Sequence, residues 1–118
     1  MKTHKDLDVW NFSLDLVEAI YDITRNFPSS EQYGLTSQMR RSAISIPSNI
    51  AEGAARSSTK EFIQFLYYSL SSLSELETQI IISERLKYFK DVIQNKENIE
   101  KLRRMLLNLI RYLKNKEK

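Results

Sequence analysis

Residues 40–58, "RRSAISIPSNIAEGAARSS", decide how the chain folds, because they predict a helix of small side chains built around a proline. Apolar side chains recur every three or four positions from residue 35 to 54, which predicts one buried helical face. This face consists of Leu35, Met39, Ala43, Ile46, Ile50 and Ala54. A proline inside an isolated helix costs roughly 3 kcal/mol. Pro47 therefore indicates strong tertiary packing, a bend that follows a partner, or a helix break at Ile46.

The same helix carries a polar stripe within about an 80° arc beside its apolar face. The stripe consists of Gln38, Arg41, Ser45, Asn49, Glu52 and Arg56. It could be a solvated face or a buried or interfacial polar network. Serine and asparagine are poor helix formers, and the small side chains of Ala51 and Ala55 permit close helix approach. Both features favour the network.

A helical hairpin that turns near residue 58 gives this network a partner on the next helix. It would place Glu75 opposite Arg41, as an ion pair that fixes register more than it stabilises. A one-turn slip would substitute Glu77 or Ser72 for Glu75 as the partner of Arg41. The same hairpin would place Ser71 opposite Ser45. Glu75 is therefore included in the predicted network.

The rest of the chain predicts one domain of four helices, at about residues 7–27, 35–54, 59–87 and 91–116. Pro28 ends the first helix, Gly34 is expected to close the next turn in a left-handed conformation, and Ser58 with Glu61 forms a capping box. Only two glycines and two prolines occur, which favours long helices over strands and tight turns. Short connections predict an antiparallel up-down four-helix bundle.

Composition excludes several classes of protein and site. The 118 residues contain no cysteine, so disulfides, thiolate metal sites and a cysteine nucleophile are ruled out. The one histidine, His4, lies near the N-terminus, and no metal-ligand spacing occurs. We therefore expect no enzymatic activity, no bound metal and no cofactor. The polar start and the interrupted apolar stretches predict a cytoplasmic protein that does not enter a membrane.

The positive charge is concentrated at the C-terminal end of the chain. Residues 1–95 carry 10 basic and 12 acidic side chains, whereas residues 96–118 carry 8 basic and 3 acidic ones. One helical face holds Lys96, Arg103, Arg104, Arg111, Lys114 and Lys118, opposite an apolar seam. Such a row can bind the phosphates of RNA or DNA, but it can equally be a solvated lysine-rich face. Because no aromatic residues alternate with the cations, base-specific readout is not expected.

The segment "QMRRSAISIPSNIAEGAARSSTKEF", followed by "SSLSELETQI", resembles the bacterial four-helix-bundle family named for the 23S rRNA intervening-sequence protein. The opening "WNFSLDLVEAIYDITRNFP" and the "LKY" at residues 86–88 are similar to the family as well, so the resemblance covers essentially the whole chain. One departure is Ser71, where the family pattern has a glycine.

The resemblance implies an up-down bundle assembled as a ring-like homopentamer, with no established enzymatic activity. Family genes occur inside insertions in ribosomal RNA genes, and a related accessory factor of diversity-generating retroelements works with a reverse transcriptase and nucleic acid. Two functions follow as hypotheses. The first is a nucleic-acid-associated adaptor that acts through the basic helix, and the second is a structural or protein-binding scaffold.

The oligomer is also expected from the number of apolar faces, whatever the family. Helix 1 carries two apolar stripes, one with Trp10 and Tyr21 and one with Phe12 and Ile20. A helix in a monomeric bundle needs only one such stripe. We therefore expect this protein to associate with itself, or to be covered by a protein partner.

Overall fold

The computed structural model describes residues 3–89 and 93–116, and the long elements among them are all α-helices. They are α1 (Asp8–Thr24), α2 (Leu35–Ala54), α3 (Thr59–Arg85) and α4 (Ile93–Lys116). Short 3-10 helices at His4–Asp6 and Ser29–Glu31 precede α1 and α2. No strand occurs in this part of the chain, which confirms the all-α prediction with four helices.

The first helix is shorter than the predicted range of about 7–27. It ends at Thr24, whose hydroxyl donates to the carbonyl of Ile20 at 2.7 Å. Pro28 disfavours helical geometry at Phe27, and the Phe27 amide turns back to bond Thr24 O at 3.1 Å. The closing turn buries Phe27, whose ring packs near Tyr88 and Phe89 beyond the end of α3.

The second helix is continuous from Leu35 to Ala54 and contains Pro47, so the proposed break at Ile46 is wrong. Pro47 is buried, as expected if tertiary packing offsets its lost backbone donor. The prediction for Gly34 was also wrong, because its φ is −113° and not left-handed. A side chain at Gly34 would instead meet the Glu31 carboxylate, since its Cβ would lie 2.9 Å from Glu31 Oε1.

The third helix begins as predicted and ends two residues early. Ser58 Oγ accepts from the Glu61 amide at 3.1 Å, which is one of the two bonds of the predicted capping box. Lys87 takes the left-handed conformation, with φ of 62°, and Tyr88 N donates to Ser83 O. This is a Schellman ending, with lysine in the place that glycine usually takes. The predicted start of the fourth helix, between residues 91 and 96, lies partly outside the described residues.

The four helices close around one core. α2 packs between α1 and α3, and α4 packs against both α3 and α1. Side chains with no exposed surface come from all four helices, among them Ile20, Ile46, Leu66 and Leu106. Four members of the predicted α2 face are equally buried, namely Met39, Ala43, Ile46 and Ile50. The arrangement is consistent with a four-helix bundle.

Candidate interaction surfaces

A seam of serine hydroxyls joins α2 to α3. Ser42 is buried and donates to Glu75 Oε1 at 2.6 Å, and Ser45 hydrogen-bonds Ser72. Further along, the buried Ser69 donates to the carbonyl of Ile46 at 2.9 Å. The partners descend in number along α3 as they ascend along α2. The small serines let the helices approach closely while their polar groups remain paired.

The predicted pairing of Arg41 with Glu75 was wrong. Glu75 receives its bond from Ser42, because Ser42 lies about 100° around the helix from Arg41 and faces α3. Ser45 likewise meets Ser72 instead of Ser71, a shift of one residue.

The members of the predicted network therefore do not form one buried cluster within the chain. Gln38, Arg41, Glu52 and Glu75 are exposed, whereas Ser45 and Asn49 are half-buried. Asn49 donates to the carbonyl of Ser45 at 2.8 Å, and Glu52 lies 3.7 Å from Arg56 in an exposed pair. The stripe is thus an outward face of α2, apart from its hydrogen bonds to α3.

The first two residues of the predicted basic row are paired with carboxylates. Lys96 contacts Glu84 at 2.9 Å, and Arg103 contacts Glu77 at 2.8 Å as well as Glu100. Burial opposes the charged form of Arg103, but the hydrogen bonds and charges of Glu77 and Glu100 outweigh it and raise its pKa. These two cations join α4 to α3 and are poorly available to a phosphate.

The other described residues of the row, Arg104, Arg111 and Lys114, are exposed. Arg111 bonds only the amide oxygen of Asn108, at 3.2 Å, among the described residues. Lys114 donates to the Tyr67 hydroxyl at 2.9 Å and lies 5.3 Å from its ring centre. Lys118 lies outside the described residues.

Tyr67 gives this end of the bundle an aromatic side chain that the row on α4 did not reveal. The residue lies on α3, so only the packing of the two helices brings it beside the cations. With Leu107, Ile110, Arg111, Lys114 and Asn115 it lines a shallow groove of about 350 Å³. We call this feature the α3–α4 groove.

A longer groove runs between α1 and α2, and we call it the α1–α2 groove. Its apolar part, of about 300 Å³, is lined by Trp10, Leu14, Val17, Ile44, Pro47, Ser48 and Ala51. Its second part, of about 670 Å³, shares Ile44 and Ser48 with the first and adds Tyr21, Tyr33, Arg40 and Arg41. Ile44 is 42% exposed and Tyr33 is 89% exposed. The first apolar stripe of helix 1 therefore forms one wall of an open groove.

Two contacts hold Arg40 at the rim of the α1–α2 groove. Its Nε donates to the hydroxyl of the buried Thr24 at 2.9 Å, and its guanidinium lies 4.4 Å from the Tyr21 ring centre. Sequence reasoning missed this residue. The available signal was Tyr21 and Thr24, which lie one turn apart on the face of helix 1 toward α2.

Glu31 and Tyr88 form a polar link at one end of the molecule. The Tyr88 hydroxyl donates to Glu31 Oε2 at 2.7 Å, and the Leu35 amide donates to Glu31 Oε1 at 3.2 Å. These two bonds lower the pKa of Glu31, the Tyr88 bond contributing most. The same bond raises the pKa of Tyr88 because it stabilises the protonated phenol. The link holds the turn before α2 against the end of α3.

No group of three or more histidine, aspartate or glutamate side chains is placed to hold a metal ion within residues 3–89 and 93–116. His4 instead packs edge-on against Trp10, with ring centres 4.9 Å apart. None of the helices, over the part described, is long and apolar enough to cross a membrane.

Comparison with known proteins places the chain in a family. The model of the family described as 23S rRNA-intervening sequence protein matches residues 5–108, so the chain belongs to that family. This confirms the resemblance seen in the sequence. A search of curated proteins found none that matches.

A similar solved structure supports the fold. It is a crystal structure from Bacteroides thetaiotaomicron VPI-5482, described as a protein with unknown function from the S23 ribosomal protein family. The two chains are 22% identical with a TM-score of 0.77, over 87% of this chain and 95% of that one. At this identity the likeness shows the shared fold alone.

Proposed function

We propose that this member of the 23S rRNA-intervening sequence protein family is a non-enzymatic scaffold that assembles with itself through the α1–α2 groove. The observation that carries the proposal is the continuous apolar surface from Trp10 through Val17 and Ile44 to Ala51. An exposed apolar surface rimmed by polar residues is typical of a protein interface. In a subunit contact, Trp10 and Ile44 would gain burial that the isolated chain does not provide.

Each subunit is proposed to be an antiparallel up-down bundle. The serine seam supports opposite directions for α2 and α3. Contacts of α4 support the same relation to α3, because Lys96, Arg103 and Lys114 meet Glu84, Glu77 and Tyr67 in descending order. A ring-like pentamer is the stoichiometry we favour, and it comes from the family resemblance.

The absence of catalysis is part of this proposal. General acid–base chemistry needs a base, a nucleophile and an orienting group that converge in a pocket. The α1–α2 groove offers arginines, tyrosines and serines but is lined by no histidine, aspartate or glutamate that could accept a proton. Its side chains suit binding better than proton transfer.

Replacing Ile44 with glutamate tests the scaffold. A carboxylate in the middle of the groove should dissociate the oligomer, because burying an unpaired charge is costly. Tyr112→Glu is the matched control, since Tyr112 is 61% exposed and lies on α4. Light scattering on a size-exclusion peak should give a lower mass for I44E and the parent mass for Y112E. An I44E variant that keeps the parent mass contradicts the proposal.

A nucleic-acid-associated adaptor is the second candidate, and the α3–α4 groove favours it. Arg104, Arg111 and Lys114 remain available for phosphates, and Tyr67 offers a ring on which a base could stack. Lys96 and Arg103 are less suitable for this role because they hold carboxylates. The contact is therefore proposed for the distal half of α4 rather than for its whole length.

Fluorescence anisotropy with generic RNA and DNA at two salt concentrations tests the adaptor. Binding should weaken steeply with salt, and Arg104→Glu together with Arg111→Glu should abolish it. Lys5→Glu with Arg85→Glu gives the same change in net charge at exposed positions elsewhere and should bind more like the parent. Absence of binding at low salt, or equal loss in both double variants, removes this candidate.

A further inference from the structure

Arg40 has the features of a preorganised carboxylate-binding group. Thr24 fixes its Nε, and the Tyr21 ring supports its guanidinium plane. Holding the side chain in this way removes most of the entropy that an arginine loses on binding. Yet Arg40 and its neighbour Arg41 form no ion pair with any carboxylate of the described residues, and the groove beside them is lined by none.

The chain itself carries the complementary surface. Asp15, Glu18 and Asp22 are spaced by three and four residues, so they form one acidic face along α1. All three are exposed, and only Asp22 has an ion-pair partner among the described residues, Arg25 at 3.2 Å. This acidic face is separate from the wall that α1 contributes to the groove, where Leu14 and Val17 lie.

We propose that Arg40 and Arg41 of one subunit bind Asp15 and Glu18 of a second copy of this chain. The inference rests on the proposed self-association and names the contact that directs it. Apolar burial in the groove supplies the affinity, and the charges fix which face enters and in which register. The favoured ring requires a heterologous contact, in which two different faces of the chain meet, and the arginine pair and the acidic face are proposed as those two faces.

Charge reversal tests this contact from both sides. Arg40→Glu with Arg41→Glu places like charges at the interface, and so does Asp15→Lys with Glu18→Lys. Each double variant should raise the concentration needed for half-assembly by about tenfold or more. A single chain with all four changes restores opposite charges and should recover assembly at the parent concentration. Light scattering over a dilution series measures all four proteins.

Two controls separate folding from assembly. Asp15 and Glu18 are exposed and form no ion pair in the described part of the chain, so D15K/E18K should keep the helical circular dichroism of the parent even if R40E/R41E does not. Arg85→Glu and Glu97→Lys reverse exposed charges on α3 and α4, and each should leave assembly unchanged.

The outcomes distinguish this contact from self-association itself. A parent protein that is monomeric overturns both proposals. An oligomeric parent whose double variants keep its mass overturns the Arg40 contact alone. Dissociation of both double variants without recovery in the fourfold variant also overturns it, because the arginines and the carboxylates would then each contact other residues and not one another.

Discussion

Two regions of the molecule place their charges in opposite ways. One is the α1–α2 groove, and the other is the contact of Lys96 and Arg103 with Glu84 and Glu77, which we call the α3–α4 seam. Along the seam, Lys96 and Arg103 are each held by carboxylates of the same chain. Along the groove, Arg40 is held by a hydroxyl and an aromatic ring, and no carboxylate of the described residues pairs with its charge. A surface whose charges are paired within the chain is typical of an intramolecular contact. A cation without a carboxylate partner among the described residues, beside exposed apolar side chains, is typical of an interface between subunits.

The largest expected effect concerns the core on which both regions depend. Leu66→Ala and Leu106→Ala remove fully buried side chains from α3 and α4. Each should lower the free energy of unfolding by about 2–5 kcal/mol in a denaturant titration. Leu107→Ala, at a 41% exposed position of the same helix, should cost less than about 1 kcal/mol. Equal losses at Leu106 and Leu107 would contradict the assigned core.

The next effect concerns the close contact of α2 with α3. Gly53 is buried, and a Cβ there would lie 2.6 Å from Phe65 Cβ and 3.0 Å from Phe62 Cδ1. Gly53→Ala should therefore destabilise by about 1–3 kcal/mol, although alanine is the better helix former. Ala55→Gly, at an exposed position past the end of the helix, is the control for glycine content. A stabilised G53A protein in thermal unfolding would show that the helices are less closely packed.

The α3–α4 seam predicts a smaller effect that depends on salt. Arg103→Gln removes the cation that holds Glu77 and Glu100, and should cost about 0.5–1 kcal/mol at low ionic strength. The loss should shrink in high salt, which screens the partly exposed charges. Arg104 forms no ion pair with the carboxylates that the structure describes, so Arg104→Gln serves as the neighbouring control. A salt-independent loss for R103Q would point to packing of the arginine stem instead.

The smallest expected effect is the loss of stability at acidic pH that the bond between Glu31 and Tyr88 produces. The pKa of Glu31 is lower in the folded protein, so its contribution to stability is full above the unfolded pKa of roughly 4.3. It is lost as the pH falls through the lower folded pKa. Glu31→Gln and Tyr88→Phe should both flatten the fall in stability over this acidic range. If the free energy of unfolding falls with pH in the same way in the parent and in both variants, the bond between Glu31 and Tyr88 does not contribute to acid stability.

The sequence predicted the helices well wherever an apolar repeat or a breaking residue controls the backbone. The α2 seam from Met39 to Ile50 follows from its spacing alone. Proline and glycine were harder to interpret, because their effect depends on which residues of other helices pack against them, and the sequence alone does not show this. Pro47 stays in the helix since packing compensates for it, and Gly53 allows the close approach of Phe62 and Phe65.

The surfaces were less predictable for the same reason. A helical projection groups Lys96 and Arg103 on one predicted face of α4, but it cannot show which carboxylates of α3 meet them. A one-residue shift between α2 and α3 was enough to replace Arg41 by Ser42 at Glu75. Arg40 was missed because its role depends on Thr24 and Tyr21 of another helix.

The molar mass of the parent protein tests the central claim most directly. Light scattering on a size-exclusion peak at micromolar concentration should give a multiple of the 13.9 kDa chain, and about five times that mass for the favoured pentamer. A dimer or tetramer would retain the groove as an interface and reject the pentamer. A mass near 13.9 kDa would contradict the account, because the α1–α2 groove would then be an ordinary solvent-exposed surface.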